Sequence, residues 1–310
     1  MKTFLLLSSF VLLLSSWLHA GTFVHETDQE FTAAADFNGD GNTDLLILDK
    51  QSGTYRIGYG TATGAYTFAE SRPTGASNIT GVAVGKLNGL TNDAFAVTSI
   101  DQNRVQVLMP STPGFTEAFS LPQGGLGPTL LTALNLPTGP SPTAEDDLAV
   151  LASRDLTDTV QIRQIRSNGG AWSLLRTDNA PDALCLHGNP MVPVFGAPQF
   201  FAFMRDNGAT DSFHAWQLTG TAGGQELVTF NVRNNSNYIS GLFDGTDADV
   251  MFWTPWDHRI RVRRVQVVGP GWDFVSDDTF NMPEPLAQAV PVQTPGGLKV
   301  MMRSIYGNLA

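Results

Sequence analysis

The run Asp36-Phe37-Asn38-Gly39-Asp40-Gly41-Asn42-Thr43-Asp44 sets carboxylate or amide oxygens at positions 1, 3, 5 and 9 of one tight loop. Gly41 occupies position 6, where such a loop must turn sharply. A hard cation such as Ca²⁺ takes about six to eight oxygen ligands from a flexible loop, and this spacing supplies most of them. An EF-hand would carry a bidentate Glu at position 12, but that position is Ile47, inside the apolar run Leu45-Leu46-Ile47-Leu48. The run reads as a buried strand, so the loop is expected between β-strands rather than between helices. Ca²⁺ has no redox chemistry. Its expected role is structural: to cancel the clustered charge of Asp36, Asp40 and Asp44 and lock the turn.

A second constellation is Trp253-Thr254-Pro255-Trp256-Asp257-His258. An exposed Trp beside hydrogen-bonding side chains can stack on a sugar ring or anchor a partner, which makes Trp256, Asp257 and His258 a candidate ligand face. Trp253, at a strand end, is expected in the core. The run Arg259-Ile260-Arg261-Val262-Arg263-Arg264-Val265 alternates Arg with aliphatic residues and is the one basic stripe in an acidic chain. It reads as a strand whose wet face pairs with acidic neighbours. His25, His187, His214 and His258 show no metal-ligand spacing, and Gly-x-Ser-x-Gly and phosphate-loop patterns are absent. The expectation is that the chain is not an enzyme.

The elements that must hold these residues recur. Taking the end of each first strand as an anchor, Phe37, Leu87, Leu134, Phe195, Phe243 and Val292 stand 50, 47, 61, 48 and 49 residues apart. After each anchor come a turn and an apolar strand, for example Leu45–Leu48, Ala94–Thr98 or Val250–Trp253. Asp44, Asp93, Asp147 and Asp249 directly precede four of these strands, as turn carboxylates that accept backbone N–H bonds. An alternating strand and a Gly-containing turn follow, and the fourth strand often opens with an aromatic residue. Four short antiparallel strands in about 50 residues make one propeller blade, and no helical period appears after the leader. A sandwich or solenoid would also give many short strands, but the four-beat repeat favours a β-propeller of about five complete blades and a partial sixth. The third and fourth strands of that last blade are missing, which suggests truncation from a six- or seven-bladed ring. The segment Thr22–Phe31 is expected to lend it an outer strand. Thr177 to Pro190, with Cys185 and His187, reads as an inter-blade loop.

At Asp36 to Leu45 the chain resembles the FG-GAP/VCBS repeat of integrin-α-like propellers. That resemblance implies Ca²⁺ held by the side chains of Asp36, Asn38, Asp40 and Asp44 and by the Asn42 carbonyl. Blade two departs from the pattern, with Lys86 in place of the first carboxylate. Blade five keeps Asp244, Asp247 and Asp249 but lacks the first ligand, which makes it a weak second site at most.

Residues 1–20 read as a secretory signal: Lys2, an apolar stretch from Phe4 to Leu14, then a small-residue cleavage site ending at Ala20. Residues 21–310 form the propeller. The formal charge of -11 argues against nucleic acid or an anionic membrane surface as partner. Membrane insertion is not expected. Cys185 is the single cysteine, so no intrachain disulfide can form. Together these features suggest an exported, calcium-stabilised propeller, secreted, periplasmic or at the cell surface, that binds a protein or glycan in adhesion. The alternatives are a carbohydrate-active lyase or hydrolase, or its propeller module, and a scaffold repeat of a larger surface protein.

Overall fold

The computed structural model describes residues 23–307 except 27–28, 88–91, 100, 112–113, 123–126, 135–146, 154–159, 169–170, 181–183, 186–191, 194–199, 207–209, 220–222, 234, 242–247, 269–270 and 295–296. The secretory signal expected at 1–20 lies outside the described residues. Every regular element among those described is a β-strand, and none is a helix long and apolar enough to cross a membrane. The strands form antiparallel sheets in chain order, as in a β-propeller. Blades two, three and five have four strands. Blade one gains two strands, blade four has a split first strand, and the sixth sheet has two strands.

Strand identity follows from side-chain alternation. In Glu30–Ala35 the residues Phe31, Ala33 and Ala35 are buried and their neighbours are not, and the adjoining Asp44–Asp49 buries Asp44, Leu46 and Leu48 in the same rhythm. These side chains meet Ile79, Val82, Val84, Phe95 and Val97 of blade two, so the core lies between blades. Phe95 is the hinge of that contact, edge-on to Tyr55 at 5.0 Å and to Phe37 at 6.3 Å. Blade five is apolar on both faces of its second strand, Ala248–Trp253. Phe252 packs against Phe213 and Phe230 of blade four at 5.2 and 5.3 Å. Met251 and Trp253, of opposite parity, cluster with Leu286 and Ala289 of the sixth sheet. Trp253 is a core residue, as expected.

Two boundaries differ from expectation. Phe23–Glu26 does not join the sixth sheet. It pairs with Glu30–Ala35 as a hairpin, His25 opposite Thr32, and covers the free edge of blade one. Closing a hairpin over three residues costs far less chain entropy than bridging the ring. The segment from Thr177 also is not all loop. Thr177–Ala180 continues the fourth strand of blade three, and Leu184–Cys185 pairs with Arg205 and Asp206 in blade four.

Candidate functional site

The blade-one loop is knitted by Asx turns. Asp36 Oδ1 accepts the N–H of Gly39 at 2.7 Å and of Asp40 at 3.2 Å, and its Oδ2 accepts Gly41 N–H at 2.9 Å. Asn38 Oδ1 accepts Asp40 N–H, and Asp40 Oδ1 accepts Asn42 N–H at 2.7 Å. The Asn42 bond is the main cause that holds the Asp40 carboxyl below the ordinary carboxylate range. Asp44 is fully buried and accepts Phe37 N–H at 2.9 Å and Gly60 N–H at 2.8 Å. Burial is the chief influence on its carboxyl and pushes it up, with the Asp36 charge adding to the rise. Gly39 and Gly41 have φ of 76° and 82°, the left-handed region that the loop requires.

Asp36 Oδ1 already accepts two N–H groups, whereas Asp36 Oδ2, Asn38 Oδ1 and Asp40 Oδ1 each accept one backbone N–H. Among the described residues, however, no three His, Cys, Asp or Glu side chains are grouped closely enough to hold a metal ion. The fit therefore rests on the amide oxygen of Asn38 and the carbonyl of Asn42 as much as on the carboxylates. In the weak second set, Asp244 and Asp247 lie outside the described residues. Asp249 is buried and stands 3.5 Å from the Arg264 guanidinium. Asp93 plays the structural part expected of it, but across blades: its carboxylate accepts Asp36 N–H at 2.9 Å and its own N–H bonds the Asp36 carbonyl.

The blade-five turn is built differently. Trp256 is 76% exposed and has φ of 72°, a conformation that a bulky L-residue adopts only under constraint. The turn is clamped on both sides. Asp257 accepts the backbone N–H and Nε–H of Arg259, each at 3.2 Å, and Nη2–H at 3.1 Å; it also accepts Nη1–H of Arg233. The Arg259 fork is the main cause that keeps the Asp257 carboxyl below its usual range, hence ionised. The backbone N–H of Met282 donates to the His258 carbonyl at 2.6 Å. His258 Nδ1 stands 3.2 Å from the Met282 carbonyl oxygen. A carbonyl only accepts, so Nδ1 carries a proton here, and in the neutral tautomer Nε2 is the acceptor atom. Trp256, Asp257, His258, Arg233 and Arg259 line an open recess of about 460 Å³. The three candidate residues of this turn are thus brought together. Arg233 and the Met282 carbonyl were missed by sequence reading because they arrive from segments that flank the blade.

The basic stripe pairs with acidic neighbours as expected. Arg261 makes a fork to Asp277, Arg263 reaches the same carboxylate at 3.0 Å, and Arg264 faces Asp249. One further pair escaped the sequence reading: Ser212 Oγ lies 2.8 Å from His214 Nε2. Both are buried, so substrate has no access to the hydroxyl.

No protein-family model and no curated protein sequence matches the chain. Its fold is similar to solved propeller structures. A Lactobacillus plantarum protein matches with a TM-score of 0.52 at 14% identity, over 84% of this chain and 82% of that one. A Bacteroides fragilis protein proposed to be a 6-phosphogluconolactonase matches with a TM-score of 0.52 at 11% identity, over 94% and 92%. The periplasmic gluconolactonase of Pseudomonas aeruginosa gives 0.52 at 12% identity, over 94% and 93%. The shared fold is a β-propeller.

These neighbours correct three expectations. The FG-GAP/VCBS, integrin-α-like assignment fails: two of these similar structures carry lactonase names and no model of that repeat matches. The loop that suggested it is a local Asx-turn solution to a tight hairpin, which unrelated blades can share. The reading as an adhesion module for a protein or glycan, and the expectation of no enzymatic activity, are overturned by the same finding, since neighbours of this fold are named as a gluconolactonase and as proteins proposed to be 6-phosphogluconolactonases.

Proposed function

We propose that the chain is an exported hydrolase that opens a lactone derived from a sugar, and that the blade-five recess is its active site. The observation that carries this is the His258 ring. Its Nδ1–H is committed to Met282 O, so Nε2 is a positioned base on an exposed imidazole beside a guanidinium and an exposed indole. The sugar ring stacks on Trp256. His258 Nε2 takes a proton from water as its oxygen attacks the lactone carbonyl carbon. The tetrahedral oxyanion faces the Arg259 guanidinium, which Asp257 holds in place. When the ring C–O bond breaks, the departing alkoxide recovers the proton from Nε2, giving the open hydroxy acid. The likeness of fold to the named lactonases supports this reaction class, and the name of the Pseudomonas neighbour supports a periplasmic location.

The test is hydrolysis of glucono-δ-lactone by the mature chain, followed by pH-stat titration. The expected result is acceleration over buffer that His258→Gln lowers about 100-fold or more in kcat, with KM nearly unchanged. Equal rates for wild type and buffer across a panel of aldonolactones would overturn the proposal.

We further propose Ca²⁺ as a structural ion of the Asp36–Asp44 loop, with no part in the chemistry. Among the described residues no basic side chain pairs with Asp36, Asp40 or Asp44, and the charge of Asp36 works against ionisation of Asp44.

A further inference from the structure

We propose that the cleft between blades four and five binds an organic dianion whose two acidic groups stand roughly 7 Å apart. The cleft measures about 420 Å³ and adjoins the recess. Six charged groups line it: Arg233, Arg259, Arg261, Arg263, Asp257 and Asp277. They form two triads. Asp257 lies between Arg233 and Arg259, and Asp277 lies between Arg261 and Arg263. Each triad sets two guanidiniums on one carboxylate, so four guanidiniums and two carboxylates line the cleft. Arg259 and Arg261 are two residues apart on one strand and one face, which sets the spacing of the triads at roughly 7 Å. In a chain of formal charge -11 this is a local concentration of positive charge.

Stability gives little reason for the arrangement. The side chains of Arg233, Arg259 and Arg261 are 64%, 61% and 47% exposed. Exposed pairs of this kind stabilise a fold by about 0–1 kcal/mol, and crowding like charges on one carboxylate reduces even that. A ligand changes the balance. The carboxylates hold the guanidinium forks in place before binding, which removes much of the ordering entropy that flexible Arg side chains would otherwise lose. Arg263 is further fixed by the face of Phe230, 4.1 Å from the ring centroid. An anion on each triad gives its two guanidiniums a second acceptor, and Thr279 lines the same wall. Carboxylate and phosphate share the required chemistry.

The test is isothermal titration of the mature chain at low ionic strength with three probes: adipate, acetate and fructose 1,6-bisphosphate. Adipate is expected to bind at least tenfold more tightly than acetate and to weaken as NaCl is added. Arg261→Gln and Arg233→Gln, one in each triad and both at exposed positions, are each expected to weaken adipate binding about tenfold without moving the melting midpoint. The tighter of adipate and the bisphosphate identifies the acidic group. Adipate binding no tighter than acetate, or binding indifferent to both substitutions, overturns the proposal. The readout is separate from catalysis: a chain that binds adipate but opens no lactone refutes the hydrolytic reading alone, and one that opens lactones but discriminates no dianion refutes this inference alone.

Discussion

Replacing Asp44 by Asn keeps the volume of a side chain with no exposed surface but changes what its two terminal atoms can accept. In the wild type one oxygen takes the N–H of Phe37 and the other the N–H of Gly60, joining the start of the loop to the end of the third strand. A carboxamide keeps one acceptor and turns an NH₂ group toward the remaining N–H. A buried donor left without a partner costs about 1–3 kcal/mol, and the loss of charge assistance adds to this. Relief from burying a charge works the other way, so a net loss of about 2 kcal/mol is expected. At an unfolding entropy of about 2.1 cal/mol/K per residue, a chain of this length loses about 3 °C in melting midpoint. Differential scanning calorimetry at neutral pH reads it directly. The pH dependence supplies a second check. Burial raises the Asp44 carboxyl, so the folded chain binds that proton more tightly than the unfolded one. The stability contributed by this group is greatest below the ordinary aspartate value and falls as pH rises through the raised one. The wild type's advantage over Asp44→Asn should therefore narrow across that window and stay constant above it. A variant that melts at or above the wild-type midpoint at pH 7 would refute the claim that the two backbone bonds outweigh the cost of the buried charge.

Trp256→Asn should raise the melting midpoint while reducing lactone hydrolysis. Asn tolerates the left-handed backbone at φ of 72°, recovering about 1 kcal/mol of strain, but removes the stacking surface. A variant with unchanged kcat/KM would dismiss Trp256 as a substrate contact. Millimolar Ca²⁺ should raise the midpoint of the wild type relative to chelator, and Asp40→Ala should abolish the rise. Identical melts for both proteins in both buffers would remove the ion from the loop.

The features legible in the sequence were those whose partners lie close along the chain. The strands at Thr54, Arg104 and Arg259 begin where the alternation of apolar residues begins, because a strand with one wet face must alternate. The Asp36 loop was legible for the same reason: its side chains bond N–H groups two to five residues onward, so type and spacing suffice. The same locality made the loop a poor guide to family. Nine residues can meet the needs of one hairpin in many lineages, whereas likeness of fold is spread over the whole chain.

Only the tertiary structure decided which blades touch and which polar groups share a partner. The sequence shows Asp93 before a strand, but its bond to the Asp36 backbone spans 57 residues and exists because two blades pack side by side. Arg233 meets Asp257 across the polar link that enters blade five, and the Met282 carbonyl selects the His258 tautomer only once the fourth strand has returned past the turn. Backbone hydrogen-bond geometry is periodic and is written into a few neighbouring residues. The packing of one blade on the next depends on the sum of many side-chain volumes, and no short stretch of chain contains that information.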